Sequence, residues 1–116
     1  MSAEWDAALS AYRAARADEI AHDERSGIAT ACRMVRAGMV GVQEAFSMIS
    51  HTDADESERL CEIRGKAEDC MMGVPSPHAM AFALKYLIAH GDGRETDHWD
   101  DMLETEAKRF VGSHLL

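Results

Sequence analysis

A long ladder of apolar residues runs through positions 28 to 49 of the sequence. Its members follow one another at alternating steps of four and three, which places them along one stripe of an α-helix. They are Ile28, Cys32, Val35, Met39, Val42, Phe46 and Ile49. The ladder predicts a helix from about residue 28 to 50, and an uninterrupted apolar stripe is typical of a helix at the centre of a fold.

Two glycines, Gly38 and Gly41, lie inside this predicted helix. Each costs roughly 1 kcal/mol relative to Ala in a helix interior, so their presence needs a structural reason. We expect a neighbouring helix to approach closely there, because glycine has no side chain. A kink of the helix near Gly38 is the alternative.

Apolar spacing and turn signals predict four more helices and no strand. Together with the ladder helix, the predicted segments are 2 to about 22 or 25, 28–50, 54–72, 77–90 and 97–111. The expected N-caps of the other four are Ser2, Thr52 or Asp53, Ser76 and Thr96. We therefore expect an all-α fold. It is a compact bundle of about five helices in a single domain of residues 1–116, with the second helix (about 28–50) central.

Each of these four helices has an apolar face that we expect to point inward. The faces contain Trp5, Ala8, Leu9, Tyr12, Ala15 and Ile20; then Leu60, Ile63, Ala67, Cys70 and Val74; then Met80, Phe82, Leu84, Leu87 and Ile88; then Trp99, Met102, Leu103, Ala107 and Phe110. The fourth helix has apolar residues on nearly all sides and no acid. It is predicted to be the most buried element.

Length and cysteine usage narrow the protein class. A chain of 116 residues can form a stable core without a metal or a disulfide. Cys32, Cys61 and Cys70 are odd in number and form no Cys-x-x-Cys pair, so we expect reduced thiols in the core of a cytoplasmic protein. Residues 1–6 lack the basic start of a signal peptide, and no apolar run reaches about 18 residues. Secretion and membrane spanning are not expected.

The net charge of -9 is unevenly placed along the chain. Residues 1–50 hold seven acids and five bases, whereas residues 51–116 hold fourteen acids and seven bases. An acidic surface repels nucleic acid phosphates and anionic lipid and attracts basic protein surfaces. Direct binding to nucleic acid or membrane is therefore not expected.

No catalytic or metal-binding pattern stands out in the sequence. His-x-x-x-His and Cys-x-x-Cys pairs are absent, and with no strand predicted there is no phosphate-binding loop after a strand. The acids lie opposite the predicted core faces, where their pKa values would be ordinary. We expect a protein that is not an enzyme and that needs no cofactor.

The acidic end of the fifth predicted helix is the surface feature that most strongly suggests a function. The candidate partner-binding residues are Asp92, Glu95, Asp97, Asp100, Asp101 and Glu104. One interpretation is a solvated outer face that maintains solubility. The other is a row of carboxylates presented to a basic groove that normally accepts nucleic acid.

Two further features resemble a known group of proteins. Trp5 and Tyr12 lie in an alanine-rich first helix, and Pro75-Ser76-Pro77 precedes an apolar helix that carries Lys85. In these features the chain resembles short uncharacterised all-helical proteins encoded in alphaproteobacterial genomes and their prophages, which often have Pro-Ala-Pro at this place. The group carries no agreed activity or site. The resemblance implies a bacterial or phage accessory protein, a setting in which small acidic inhibitors are common.

No motif in the sequence fixes a biochemical activity. Charge and fold class favour a small acidic interaction protein that binds a protein partner with a basic surface. A phage or mobile-element inhibitor that occupies a nucleic-acid-binding surface is one form of this hypothesis. One alternative is a structural homo-oligomer, a helical dimer that shares the apolar ladder between two copies. The other is a helical bundle that binds a small ligand.

Overall fold

All regular elements of the computed structural model are helical. The structure describes residues 2–91 and 97–112, with the backbone alone for Asp97. The α-helices are α1 (Ala3–Ser26), α2 (Ile28–Arg36), α3 (Val42–Ser47), α4 (His51–Gly73), α5 (Ala79–His90) and α6 (Asp100–Val111), with a 3₁₀ turn at Asp97–Trp99. The predicted all-α class is confirmed, with six α-helices among the described residues where about five were predicted.

The start of α1 follows the prediction. The Ser2 hydroxyl oxygen accepts a hydrogen bond from the Trp5 backbone N–H at 3.1 Å, which caps the helix. Glu4 and Asp6 lie in its first turn, where the helix dipole favours negative charge.

The ladder helix is divided in two, which corrects the prediction of one helix over 28–50. α2 ends at Arg36, and the chain turns through Gly38 with a φ of 72° before α3 starts after Gly41. A left-handed residue cannot continue a right-handed helix, and glycine adopts this conformation without steric cost. A Cβ atom at either glycine would meet nothing within 4 Å, so close approach of a neighbour is not the reason for them. Close approach is thus the wrong explanation, and in place of the kink expected near Gly38 the helix is fully broken there.

The ladder residues do not form the core, so the prediction of a central second helix is also wrong. None of the seven is buried, and Met39 and Phe46 are 71% and 56% exposed. The buried positions of α2 and α3 are instead Ala31 and Ala45. Small side chains lie where the two short helices contact each other, and the larger ones are left at the surface.

Alanine substitution of the two glycines separates backbone strain from packing. Because Gly38 is left-handed and Ala pays about 1–2 kcal/mol there, we expect Gly38→Ala to lower the free energy of unfolding by about 1 kcal/mol. Gly41 has a φ of -75°, which Ala adopts freely, so Gly41→Ala should be neutral or slightly stabilising. Urea titration of both variants measures this. Equal stabilities would contradict the break at Gly38.

The described chain divides into two compact units. The first consists of residues 1–9 and 68–116, and the second of residues 10–67. Buried apolar residues of the first unit are Trp5, Ala8, Met71, Met72, Ala81, Ile88, Ala89, Trp99 and Leu103; those of the second are Ala15, Ala31, Ala45 and Leu60. The single domain expected from chain length stays a prediction.

Polar residues take core positions in the second unit. Glu19 and His22 are buried, whereas Ile20, predicted to face inward, is 48% exposed. Arg64 donates from Nε to both carboxylate oxygens of Glu19 at 2.9 Å. The His22 Nε2 atom lies 3.0 Å from the backbone carbonyl oxygen of Asp53, which can only accept, so this nitrogen carries the proton. The buried stripe of α1 thus continues through hydrogen-bonded polar groups rather than through Ile20.

The helix starts of α4 and α5 differ from the predicted caps. Ser50 caps α4, since its hydroxyl oxygen accepts from the Asp53 N–H at 3.1 Å. His78 caps α5, since its Nδ1 accepts from the Ala81 N–H at 3.1 Å. The predicted cap Ser76 is buried, and its hydroxyl group is bonded to a carboxylate of α6.

The predicted inward faces of α4 and α5 are only partly correct. In α4, Ile63 and Cys70 are exposed, and the fully buried residues are Met71, Met72 and the polar Glu68. In α5, Met80 is 78% and Leu87 65% exposed, so α5 is not buried on all sides. An unbroken apolar sequence does not reveal which side of a helix faces solvent. Among the described residues, no helix combines the length and apolar character needed to span a membrane.

Candidate functional site

An apolar groove lies between α2 and α3, where the divided ladder leaves its large side chains uncovered. The cavity has a volume of about 340 Å³. It is lined by Ala31, Cys32, Val35, Arg36, Val42, Ala45 and Phe46. The two alanines form its buried floor, and the larger residues form its walls. We call this feature the α2–α3 groove.

α2, on one side of the α2–α3 groove, carries the charge opposite to that of the chain as a whole, whereas α3 carries the acid Glu44. α2 contains Arg33 and Arg36 and no acid, in a protein of net charge -9. Arg33 donates to the Glu24 carboxylate at 3.0 Å, and this hydrogen bond lowers the pKa of Glu24. Arg36, which lines the groove, has no ion-pair partner in the part of the chain that the structure describes. The groove therefore offers an apolar surface with one available cation.

Flexible apolar side chains extend the exposed surface of α2 and α3. Met39, in the turn between the helices, and Met48, directly after α3, are 71% and 56% exposed. Methionine side chains adapt their shape to irregular apolar surfaces. Such a surface can hold apolar side chains of another molecule.

A buried ion pair lies in the first unit, between α5 and α6. Lys85 is fully buried, and its Nζ atom donates to the Glu106 carboxylate at 2.7 Å. Nζ also donates to the backbone carbonyl oxygens of Met72 and Val74. The second carboxylate oxygen of Glu106 accepts from the Ser76 hydroxyl group. Both charged groups thus have several hydrogen-bond partners.

This cluster fixes the segment between α4 and α5. Arg109 donates to the Ser76 carbonyl oxygen at 2.6 Å, and the Ser76 N–H donates to Glu106 at 3.2 Å. The Lys85 ammonium group also lies 5.6 Å from the centre of the Trp5 ring. With both charges satisfied by protein groups, the arrangement positions elements of the first unit relative to one another.

Burial alone would raise the pKa of Glu106, but hydrogen bonds from Lys85 and Ser76 outweigh it and hold this pKa below its usual value of 4.5. A carboxylate with a depressed folded-state pKa stabilises the fold above its unfolded pKa. That contribution is lost as the pH falls through the folded value. The structure thus predicts that protonation of Glu106 contributes to the loss of stability in acid.

We expect the free energy of unfolding of the wild-type protein to fall as the pH drops below about 4.5, with a smaller fall in a Glu106→Gln variant. The amide does not titrate, so the variant lacks this contribution. Urea unfolding at a series of pH values from about 7 to about 3 measures both curves. Parallel curves would show that Glu106 does not contribute to the acid dependence.

The predicted acidic residues are only partly described. Asp92, Glu95 and the predicted cap Thr96 lie outside the described residues, as does the side chain of Asp97. Asp100, Asp101 and Glu104 are exposed on α6, and Glu104 accepts from Lys108 at 3.1 Å one turn later. That the six residues together bind a partner stays a prediction.

The cysteines do not have the core role predicted for them. Cys61 and Cys70 are exposed, and Cys32 is half-buried at the α2–α3 groove. All three are free thiols. Among residues 2–91 and 97–112, no three potential metal ligands of the His, Cys, Asp or Glu type lie together.

The buried pair of Lys85 and Glu106 was missed by the sequence patterns, although a signal was present. Lys85 continues the spacing of Ala81 and Ile88 on the buried side of α5. Glu106 continues that of Trp99, directly before α6, and Leu103. One cation and one anion at inward positions of two helices indicate a buried ion pair.

Comparison with family models, curated proteins and solved structures gave no match.

Proposed function

We propose that this protein is a binding protein whose partner inserts apolar side chains into the α2–α3 groove. The observation that carries the proposal is that no ladder residue is buried: Met39, Val42 and Phe46 are 71%, 56% and 56% exposed, and the other four are half-buried. Monomeric soluble proteins rarely leave large contiguous apolar patches exposed, and such patches mark interaction sites.

The shape and charge of the groove indicate the kind of partner. A cleft between two short helices suits an amphipathic helix, which offers apolar residues three and four positions apart. Arg36 at the groove wall favours a partner that also carries a carboxylate beside those residues. An amphipathic helix with an acidic flank meets both conditions.

Site-specific photo-cross-linking in the cells that make this protein tests the proposal. A photoreactive amino acid at Phe46, in the groove wall, should yield one dominant adduct. The same amino acid at Glu44, an exposed position of the same helix that does not line the groove, should not. Mass spectrometry of the Phe46 adduct should identify a peptide of amphipathic pattern with acidic residues.

A synthetic peptide of the cross-linked sequence provides the quantitative test. We expect it to bind the wild-type protein and to lose at least about tenfold in affinity with Val42→Asp, which places a charged group among the apolar side chains of the groove. Arg36→Glu should weaken binding through like-charge repulsion. The proposal fails if Phe46 gives no adduct, if both positions give the same adducts, or if Val42→Asp binds the peptide unchanged.

A second candidate function rests on the outer face of α6. Asp100 and Asp101 are exposed there, on a helix anchored from its inner side by the buried Glu106. A fixed row of carboxylates suits a basic protein surface, including one that normally accepts nucleic acid. An inhibitor from a phage or mobile element is one protein of this kind.

Salt dependence distinguishes the two candidates. Binding through α6 should weaken strongly as ionic strength rises and should be reduced by Asp100→Asn with Asp101→Asn. Binding through the groove should depend weakly on salt and tolerate these changes. If low-salt binding of the captured partner survives both α6 substitutions, the acidic-face function is excluded.

A further inference from the structure

The solvent-facing side of α5 is a second uncovered apolar surface, in the other unit. We call it the outer face of α5. Its residues are exposed to solvent, and none of them is Asp, Glu, Lys or Arg. They are Ala79, Met80, Ala83, Tyr86, Leu87 and His90. The charged residue Lys85 points to the opposite, buried side.

This surface is unusual in its charge. The protein has a net charge of -9, so two copies that approach through their acidic surfaces repel each other. The outer face of α5 has no acid that would oppose approach of a like-charged molecule. A second copy of the chain can therefore approach through this face without repulsion between acidic side chains at the contact.

The order of residues along the face also fits pairing with itself. Ala83 lies at its middle, with Met80 and Tyr86 three residues to either side and Ala79 and Leu87 four residues to either side. In an antiparallel pair of α5 helices with a two-fold axis at Ala83, each Met80 meets the Tyr86 of the other copy. Each Leu87 meets an Ala79. Thioether against aromatic ring and large against small are favourable contacts.

We infer that the protein forms a two-fold symmetric dimer in which the outer faces of two α5 helices pack antiparallel, with Ala83 on the axis. Small residues at the axis allow the helices to approach closely. The tilted contact of Tyr86 with His90, at 4.6 Å between ring centres, holds the Tyr86 ring on this face. An isologous interface of this kind is closed and adds no further copies.

The size of the face sets the strength of the dimer. Met80, Leu87 and Tyr86 are 78%, 65% and 51% exposed. With side chains of this size presenting roughly 150–250 Å² each, they expose on the order of 400 Å² together. This is about half of the roughly 800 Å² per partner in a standard stable interface. We therefore expect a dimer that dissociates on dilution.

Analytical ultracentrifugation over a range of protein concentrations tests the dimer. The wild-type protein should shift from its monomer mass of 12.8 kDa towards twice that value as concentration rises. Ala83→Glu places two like charges on the axis and should leave only monomer. The matched control Ala17→Glu makes the same change at an exposed position of α1 and should leave the dimer intact. Circular dichroism of each variant checks that the helices are retained.

A charge-pair experiment tests the position of the axis. Ala83→Glu and Ala83→Lys should each be monomeric alone, and an equal mixture should form dimers because the opposite charges then meet. A wild-type protein that stays monomeric at all concentrations overturns the inference, as does a dimer that survives Ala83→Glu. A mixture that stays monomeric overturns the axis at Ala83. Val42→Asp should leave the dimer unchanged, so failure here and failure of the groove proposal are distinguishable.

Discussion

Replacing Glu106 by Gln is expected to lower the free energy of unfolding by roughly 3–5 kcal/mol at neutral pH. The substitution keeps the size of the side chain but removes its charge, and Lys85, which is fully buried, is left with no carboxylate partner. A buried ammonium group without its counter-charge pays most of its desolvation cost uncompensated. Urea unfolding at pH about 7 measures the loss.

The control for this prediction lies on the same helix. Glu104 is exposed and pairs with Lys108 one turn away, so Glu104→Gln should change stability by no more than about 0.5 kcal/mol. Lys85→Met, alone and combined with Glu106→Gln, completes a double-mutant cycle. A coupling energy near zero, or equal effects at Glu104 and Glu106, would show that the buried pair is not a stabilising contact.

Trp99→Ala is the second change with a large expected effect, a loss of roughly 3–5 kcal/mol. Trp99 is 5% exposed, and its indole N–H donates to the Asp69 carboxylate at 3.0 Å. Truncation removes the apolar ring from the core of the first unit, leaves a cavity and deletes the hydrogen bond. Thermal or urea unfolding measures this loss, and near-ultraviolet circular dichroism reports the altered packing.

The exposed Met39 provides the comparison. It is 71% exposed, so Met39→Ala should change the free energy of unfolding by no more than about 0.5 kcal/mol, although the sequence ladder places it in the core. A small loss for Trp99→Ala together with a large loss for Met39→Ala would reverse the assignment of core and surface.

The helices were largely predictable from the sequence because helix formation depends on local spacing and caps. The start of α1 at Ser2 and the extents of α1, α4 and α6 follow these signals closely. The ladder misled because apolar spacing carries no information about a left-handed residue at Gly38, which divides the helix. Once the helix is divided, the same seven residues no longer lie on one straight stripe.

The candidate sites were less predictable than the helices. Exposure of the α2–α3 groove and of the outer face of α5 depends on which elements pack on each helix, and local sequence does not contain that information. The buried Glu106 was missed because acids were assigned to solvated faces by residue type. Glu106 nevertheless follows the buried Leu103 by three residues, a spacing that indicates an inward position on the helix.

The central claim is that Met39, Val42 and Phe46, the exposed residues of the apolar ladder, belong to a binding surface and not to a core. The free energy of unfolding of Phe46→Ala tests this claim most directly. Phe46 is 56% exposed, so we predict a decrease of less than about 1 kcal/mol. A decrease of roughly 3–5 kcal/mol, the usual cost of truncating a buried phenylalanine, would contradict it.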